Sequence, residues 1–226
     1  MARERDLQDF YFKEAKREGY RSRAAYKLTE LDDRRRLLNR GDRVLDCGCA
    51  PGSWLQVIAK RVGPRGVAVG IDLKPITPPL QEENVFTIEG DLRTCETELL
   101  LGEGGRYDVV LSDMAPNTTG DRTIDHHGSI RLCHTVVDRL PDLLRPGGRL
   151  AMKVLEGEAY PELLDRLKAS FGKVKGFKPK ASRAISTEIF VAAHDYQLEE
   201  ATDGAGDVDH AVPPKRRPPT TGWGAS

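Results

Sequence analysis

Apolar and polar positions change rhythm along the chain in a regular way. Short, β-branched, nearly continuous apolar runs fall at 43–47 (RVLDC), 67–71 (VAVGI), 85–88 (VFTI), 108–112 (DVVLS), 149–154 (RLAMKV), 173–177 and 188–193 (EIFVAA). Stretches with helical spacing lie between them, near 53–62, 95–101, 128–144 and 160–170. Strands that are apolar on both faces and separated by helices predict βαβ units and a mostly parallel sheet with helices on both sides. "RPGGRL", 145–150, reads as a helix-to-strand turn: Pro stops the helix and Gly supplies the bend. Ahead of the first strand, 23–38 reads as a helix carrying Tyr26, Leu28, Leu31 and Leu38. There is no internal repeat. Beyond about residue 196 the chain turns acidic and then runs "PPKRRPP", a composition that cannot bury a core and is expected to be disordered. The expected division is a basic helical extension over 1–40, an α/β domain over 41–196 and a tail over 197–226.

Length and charge sharpen this picture. The chain has 226 residues, enough for one sizeable α/β domain. It carries 35 basic and 35 acidic side chains, so attraction to nucleic acid must come from local patches. Such patches exist. Residues 11–27 hold six basic and two acidic side chains, and 173–183 (KVKGFKPKASR) hold five basic and none acidic. Residues 195–209 hold six acidic and none basic. No apolar run approaches the roughly 18 residues needed to span a membrane, and the charged start "MARERDLQDF" is not a secretory signal. The four cysteines, at 47, 49, 95 and 133, form no CxxC pair and have no zinc-site spacing. They read as reduced thiols in a cytoplasmic protein. Cys133-His134, with His126 and His127 close by, reads as ordinary helix or loop sequence, and no metal is expected.

The chemistry concentrates at strand ends. "VLDCGCAPGSWLQ", 44–56, is the first strand, a tight bend and a helix start near Ser53. In doubly wound sheets ligands sit outside the carboxyl ends of the strands. Asp72 closes the next strand, where a carboxylate suits a ribose diol. NAD and S-adenosylmethionine are both open at this point. Three details favour the second. G-x-G-x-x-G fails after Gly48, Pro51 removes an N–H that a pyrophosphate would want, and a further acid, Asp91, closes the third strand, placed to accept from an adenine amino group. The plainer reading is an ordinary turn with capping acids, but three successive strand ends carry them. "LSDMAPNTTG", 111–120, places Asp113 where the reacting end of the ligand should lie, with a flexible loop that either closes over substrate or merely connects. Lys153 lies inside the apolar strand "AMKVLEG"; it is a snorkelling surface residue or a partly desolvated functional one. "KPKASRAISTEIFVAA", 178–193, is a basic loop leading into a strand that begins at Glu188, suited to a phosphate backbone or simply solvated.

Taken in order, "SRAAYKL", "DCGCAPGSW", "SDMAPN", "MKV" and "STEIF" resemble the FtsJ/RrmJ-type RNA 2'-O-ribose methyltransferases, over about residues 10–196. Each piece alone is weak, but five in order are specific. The resemblance implies a Rossmann-like fold with a seven-stranded sheet whose last strand is antiparallel, and S-adenosylmethionine as cofactor. It implies a Lys-Asp-Lys-Glu tetrad at Lys27, Asp113, Lys153 and Glu188. The cofactor contacts implied are Gly52, Trp54, Asp72, Asp91 and Asp113, joined by Asp46 and Gly48 of the same loop. Lys153, held by Asp113 and Glu188, would orient the hydroxyl, with Lys27 completing the cluster. Arg21 and Arg23 in the basic 11–27 helix, and Lys178, Lys180 and Arg183 beyond it, would grip RNA phosphates. In the bacterial form the substrate is a uridine of 23S rRNA in the 50S subunit, which would make rRNA the partner of a monomeric enzyme. Cys47-Gly-Cys49 departs from the more usual Leu-Gly-Ala but is small enough to fit. The alternatives are a methyltransferase for tRNA, an mRNA cap or a small molecule, an NAD-dependent oxidoreductase, which Pro51 contradicts, and a non-catalytic ribosome-assembly factor on the same fold, which the intact tetrad opposes.

Overall fold

The computed structural model describes residues 2–179 and 187–198, with side chains from residue 10. Two helices come first, α1 (Ala2–Arg17) and α2 (Ala24–Arg35). The sheet and its helices follow: β1 (Arg43–Cys47), α3 (Ser53–Val62), β2 (Val67–Asp72), β3 (Val85–Glu89), α4 (Thr97–Leu101), β4 (Tyr107–Ser112), α5 (Arg122–Leu143), β5 (Leu144–Leu155), α6 (Tyr160–Ser170), β6 (Phe171–Phe177) and β7 (Glu188–Tyr196). The seven strands lie in the order β3-β2-β1-β4-β5-β7-β6. β7 runs antiparallel to both β5 and β6, and the other pairs are parallel. The expected seven-stranded, Rossmann-like α/β sheet with an antiparallel last strand is what forms.

Central strands β1 and β4 are buried along nearly their whole length because helices cover both faces. One face packs Leu45, Val110, Met152 and Val154 under α5 and α6. The other packs Val44, Leu111, Ala151 and Phe190 under Leu28 and Leu31 of α2 and Leu55 and Ile58 of α3. Leu28 and Leu31 are fully buried. Each stabilises the fold by roughly 1.5–3 kcal/mol, so α2 is anchored in the same core as α3.

Four local readings are corrected. The basic 11–27 stretch is not one helix: α1 stops at Arg17, Gly19 takes a positive φ of 76°, and α2 starts at Ala24. The helix read over 23–38 ends at Arg35, where Arg36 adopts a left-handed φ of 53° and Asp32 accepts from the Leu37 and Leu38 amides. The helix read from 128 starts at Arg122, because Asp121 caps it by accepting from the amides of Thr123 (2.8 Å) and Ile124 (3.0 Å). "RPGG" is a bulge inside β5 as well as a turn: Tyr107 faces Leu144 and the next pair is Val109 with Arg149, so the residues between bow out of register. The tail expected to be disordered lies outside the described residues from residue 199 on, as do Lys180 and Arg183.

Candidate active site

The ligand-bearing edge follows from topology. β1, β2, β3 and β4 run parallel, so their carboxyl ends share one edge of the sheet. Asp46 lies in β1, Asp72 ends β2, and Asp91 and Asp113 follow β3 and β4. A cleft of about 410 Å³ opens there, and Gly48, Ala50, Asp72, Asp91, Asp113 and Met114 are among its lining residues. Such a volume suits one small organic ligand.

Each strand-end acid sits differently. Asp72 accepts from the Ala50 amide (2.9 Å) and the Lys74 amide (2.9 Å), which ties the β1 turn to the end of β2. Carboxylate oxygens have further lone pairs for a diol. Asp91 is gripped by the Arg93 guanidinium, at 3.0 Å from Nε to either oxygen, and that bond holds its carboxyl below the ordinary range. Asp46 is fully buried, and neither carboxylate oxygen has a hydrogen-bond partner. Burial first, then the charges of Asp113 and Asp72, push its pKa well above the ordinary value. A buried carboxyl without a hydrogen-bond partner is costly to keep charged.

Two glycines shape the cleft. Gly48 has a φ of 78°, and a Cβ there would lie 2.5 Å from Met114 Cγ. Gly52 has a φ of 102°, and a Cβ would crowd Leu80 (3.1 Å) and Ile76 (3.3 Å). Only glycine lets these strands and loops approach so closely. Trp54 behaves otherwise than expected. Its indole is buried, donates to the Ala24 carbonyl (2.8 Å) and lies against Phe190, so the ring belongs to the core beneath α2. Any ligand contact from this position falls to its backbone.

The four tetrad positions meet as two ion pairs. Lys153 Nζ donates to the Asp113 side chain (2.9 Å) and to the Asp113 carbonyl (2.6 Å). Lys27 Nζ lies 2.6 Å from one Glu188 oxygen and 2.9 Å from the other. Lys153 is buried, and Lys27 and Glu188 are largely so. Topology explains the meeting. β7 is antiparallel, so its first residue, Glu188, lands opposite Leu155 at the carboxyl end of β5. Lys153 faces Phe190 across the same ladder, so Lys153 and Glu188 project from one face of the sheet. α2 covers that face and supplies Lys27. Glu188 forms an ion pair with Lys27, a pairing the sequence did not specify.

The remaining expectations divide. Arg21, expected on RNA, has its guanidinium on the carbonyls of Pro51, Pro78 and Pro79. Arg23 is the residue before α2, and Lys178 is exposed just past β6. Sequence reasoning missed Arg34 and Arg35, whose guanidinium groups lie 5.9 and 5.8 Å from the Phe177 ring centre beside Lys178. Their run "DDRRR" was hidden by its two aspartates. It also missed Asp125, which accepts from Thr119 N (2.7 Å), Thr119 Oγ1 (3.0 Å) and Gly120 N (3.3 Å) and so pins the loop after β4. Those bonds, led by the Thr119 amide, hold its carboxyl below the ordinary range. His126 is structural: Nδ1 donates to the Leu155 carbonyl (2.7 Å) and Nε2 accepts from the Ala159 amide (3.0 Å). Among the described residues no cluster of three or more His, Cys, Asp or Glu could hold a metal. All four cysteines are free thiols; burial pushes Cys47 and Cys49 up and Cys133 up to about 12, which keeps them unreactive. Cys49 fits because Gly70 leaves room for it: a Cβ at Gly70 would lie 2.7 Å from Cys49 Sγ. No described helix is long and apolar enough to cross a membrane.

A doubly wound sheet with acids at successive strand ends, a cleft walled by glycine turns and a buried Lys–Asp pair beside it defines the class: a Rossmann-like methyltransferase, with S-adenosylmethionine as cofactor. The family is narrower. The model of the FtsJ-like methyltransferase family matches residues 20–196, and the chain belongs to that family. A relative from Methanobrevibacter smithii, named ribosomal RNA large subunit methyltransferase E, is 42% identical over 191 residues, 84% of this chain and 90% of its own. One of the same name from Syntrophobacter fumaroxidans is 44% identical over 186 residues, 82% of this chain and 94% of its own. Among solved structures, a chain described as a ribosomal RNA methyltransferase from Plasmodium falciparum aligns with a TM-score of 0.69 at 31% identity, covering 78% of this chain and 98% of that one.

Proposed function

We propose that the protein methylates large-subunit rRNA, the substrate its relatives are named for, and that the acceptor is a ribose 2'-hydroxyl. The observation that carries this reading is the pair of partly buried ion pairs, Lys153–Asp113 and Lys27–Glu188, on one face beside the cleft. An alcohol acceptor needs a group that holds the hydroxyl in line and handles its proton, and a fixed lysine meets both needs.

The residues present fit the cofactor. Asp46 offers an unsatisfied, buried carboxyl toward its positive amino-acid end, Asp72 suits its ribose diol and Asp91 its adenine amino group. Gly48 and Gly52 leave the space, and Asp113 joins cleft and tetrad. When bound, the cofactor supplies an electrophilic methyl group on a sulfonium. The protein supplies placement. Asp113 occupies two of the three positions on the Lys153 ammonium, leaving one for the hydroxyl. Lys153 thereby orients the nucleophile; it receives the hydroxyl proton only as the neutral amine, after passing its own proton to a carboxylate of the cluster or to solvent. Each lysine is in contact with a carboxylate, so the base role is assigned to the cluster and not to one residue. Lys27, held by Glu188, presents a second positive charge next to the substrate phosphates. Arg23, Arg34, Arg35 and Lys178 supply positive charge that grips the RNA backbone. The setting is the cytoplasm and the enzyme acts as a monomer on the 50S particle.

The test is transfer of labelled methyl to 50S particles, bulk rRNA and tRNA, followed by nucleoside analysis. A 2'-O-methylated nucleoside from rRNA supports the reading. Label on a base, on tRNA alone or on protein refutes it.

A further inference from the structure

Arg21 belongs to a segment that bonds directly to the cofactor side of the fold. Its Nη1 donates to the Pro51 carbonyl at 3.1 Å, and its Nη2 donates to the carbonyls of Pro79 (2.9 Å) and Pro78. Pro51 lies in the turn after β1, and Pro78 and Pro79 lie in the loop between β2 and β3. One guanidinium therefore spans the two loops that flank the cleft. The loops already press on each other at Gly52, where a Cβ would lie 3.1 Å from Leu80 and 3.3 Å from Ile76.

The neighbours of Arg21 make the same connection. Its amide donates to Gln56 Oε1 (2.9 Å), and Gln56 Nε2 donates to the Gly19 carbonyl (3.0 Å). Ser22 and Ser53 hydroxyls lie 2.8 Å apart, and the Trp54 indole donates to the Ala24 carbonyl at 2.8 Å. Residues 19–24 are thus fastened to the first turn of α3. The helix that follows them is α2, which carries Lys27 of the tetrad.

We propose that Arg21 is a positioning residue for the cofactor site: it clamps the Pro51 turn to the 78–79 loop and sets both in register with Lys27. It acts through the loops and touches neither cofactor nor RNA. Guanidinium geometry suits this role, since a planar fork bridges separated acceptors and an ammonium reaches fewer of them. Without the clamp, only the fraction of molecules with both loops closed binds tightly, and apparent affinity drops by that fraction. Loss of charge-assisted bonds of this strength corresponds to about a tenfold fall.

The proposal rests on the reading that the cleft holds S-adenosylmethionine. The experiment measures S-adenosylmethionine binding by calorimetry, RNA binding by filter retention without cofactor, and steady-state methylation, for the full chain and the variants R21A and R21K. The expected result is a Kd for S-adenosylmethionine raised about tenfold in R21A, a smaller rise in R21K, RNA affinity within about twofold for both, and a KM for cofactor that rises more than kcat falls. If R21A does not fold, R21K and Q56A carry the test, and both are expected to weaken cofactor binding. Unchanged cofactor affinity in these variants, or loss of RNA affinity in R21A with retention in R21K, overturns the clamp and returns Arg21 to a phosphate contact. Failure of the wild-type protein to bind S-adenosylmethionine overturns the cofactor reading itself, a result distinct from variants that bind as well as wild type.

Discussion

Lys153→Ala is the decisive perturbation. The Lys153 side chain is buried, and its ammonium is held by two bonds to Asp113, at 2.9 and 2.6 Å. Truncation has two separable consequences. The first is structural, since Asp113 loses its partner. Removing one member of a fully buried pair costs about 3–5 kcal/mol. The Asp113 side chain keeps 21% of its surface exposed, so the cost falls to about 2–3 kcal/mol, or about 5–10 °C in Tm for a chain of this size. The second is chemical. A positioned group that handles a proton in the transition state contributes about 10²–10⁴-fold, equal to about 3–5 kcal/mol of barrier. The assay is labelled methyl transfer to 50S particles at saturating S-adenosylmethionine, held well below the variant's Tm, with cofactor affinity measured by calorimetry. Turnover is expected to fall by about 10²-fold or more while the protein still binds cofactor. The double variant K153A/D113A, which leaves no orphaned charge, is expected to regain stability but no activity. Turnover of K153A within about threefold of wild type, with cofactor binding intact, refutes a role for Lys153 in aligning or deprotonating the acceptor.

Other outcomes follow from single observations. Gly48→Ala places a Cβ 2.5 Å from Met114 Cγ on a φ of 78°, so calorimetry should show weakened cofactor binding and melting a lowered Tm. Asp46→Asn replaces a buried carboxyl whose oxygens have no hydrogen-bond partner among the described residues. The pKa of Asp46 is raised, so its favourable contribution is present below the ordinary carboxylate value and is lost as pH rises through the raised one. Without cofactor, melting curves should therefore show D46N above wild type at neutral and alkaline pH, while calorimetry shows weaker cofactor binding. The pKa of Asp125 is lowered by the Thr119 and Gly120 bonds, so its contribution is present above the ordinary value and lost as pH falls through the lowered one. D125N should melt below wild type at neutral pH, and the gap should narrow in acid; a gap independent of pH would remove the carboxylate from that role. RNA affinity should fall steeply with salt, and R34A/R35A should flatten the slope by about two phosphate contacts.

Much of the sheet was readable because burial on two faces forces continuous apolar runs. The run read at 43–47 is β1 to the residue, and those at 67, 85 and 188 start where β2, β3 and β7 start. Errors fell where a side chain or one dihedral overrides the pattern. Asp121 started α5 about a turn and a half early, and Gly19 broke the basic 11–27 stretch that was read as one helix. Site residues were readable as positions, since strand-end acids fall on one edge by topology alone. Their partners were not. Which lysine meets which carboxylate depends on the register of β7 against β5 and on the side of the sheet that α2 covers, and neither is a local property of the sequence. The same limit explains Arg21. Its charge suggested phosphate, but three carbonyls 30 to 58 residues away in the chain determine what the guanidinium touches.

The tetrad's division into two pairs has a physical consequence. Asp113 both lines the cofactor cleft and holds Lys153, whereas Glu188 and Lys27 join β7 to α2. The cofactor-side pair can therefore be complete before RNA arrives, and the helix-side pair is positioned by α2 packing on the sheet. Had one carboxylate served both lysines, each ammonium would have weakened the other's hold on it. With a carboxylate apiece, each lysine has its own counter-charge in a partly buried site, where an unpaired charge is costly. Two positive groups fixed in this way can face the nucleophile and its flanking phosphate at the same time. That arrangement suits a ribose hydroxyl in a nucleic acid better than an isolated alcohol.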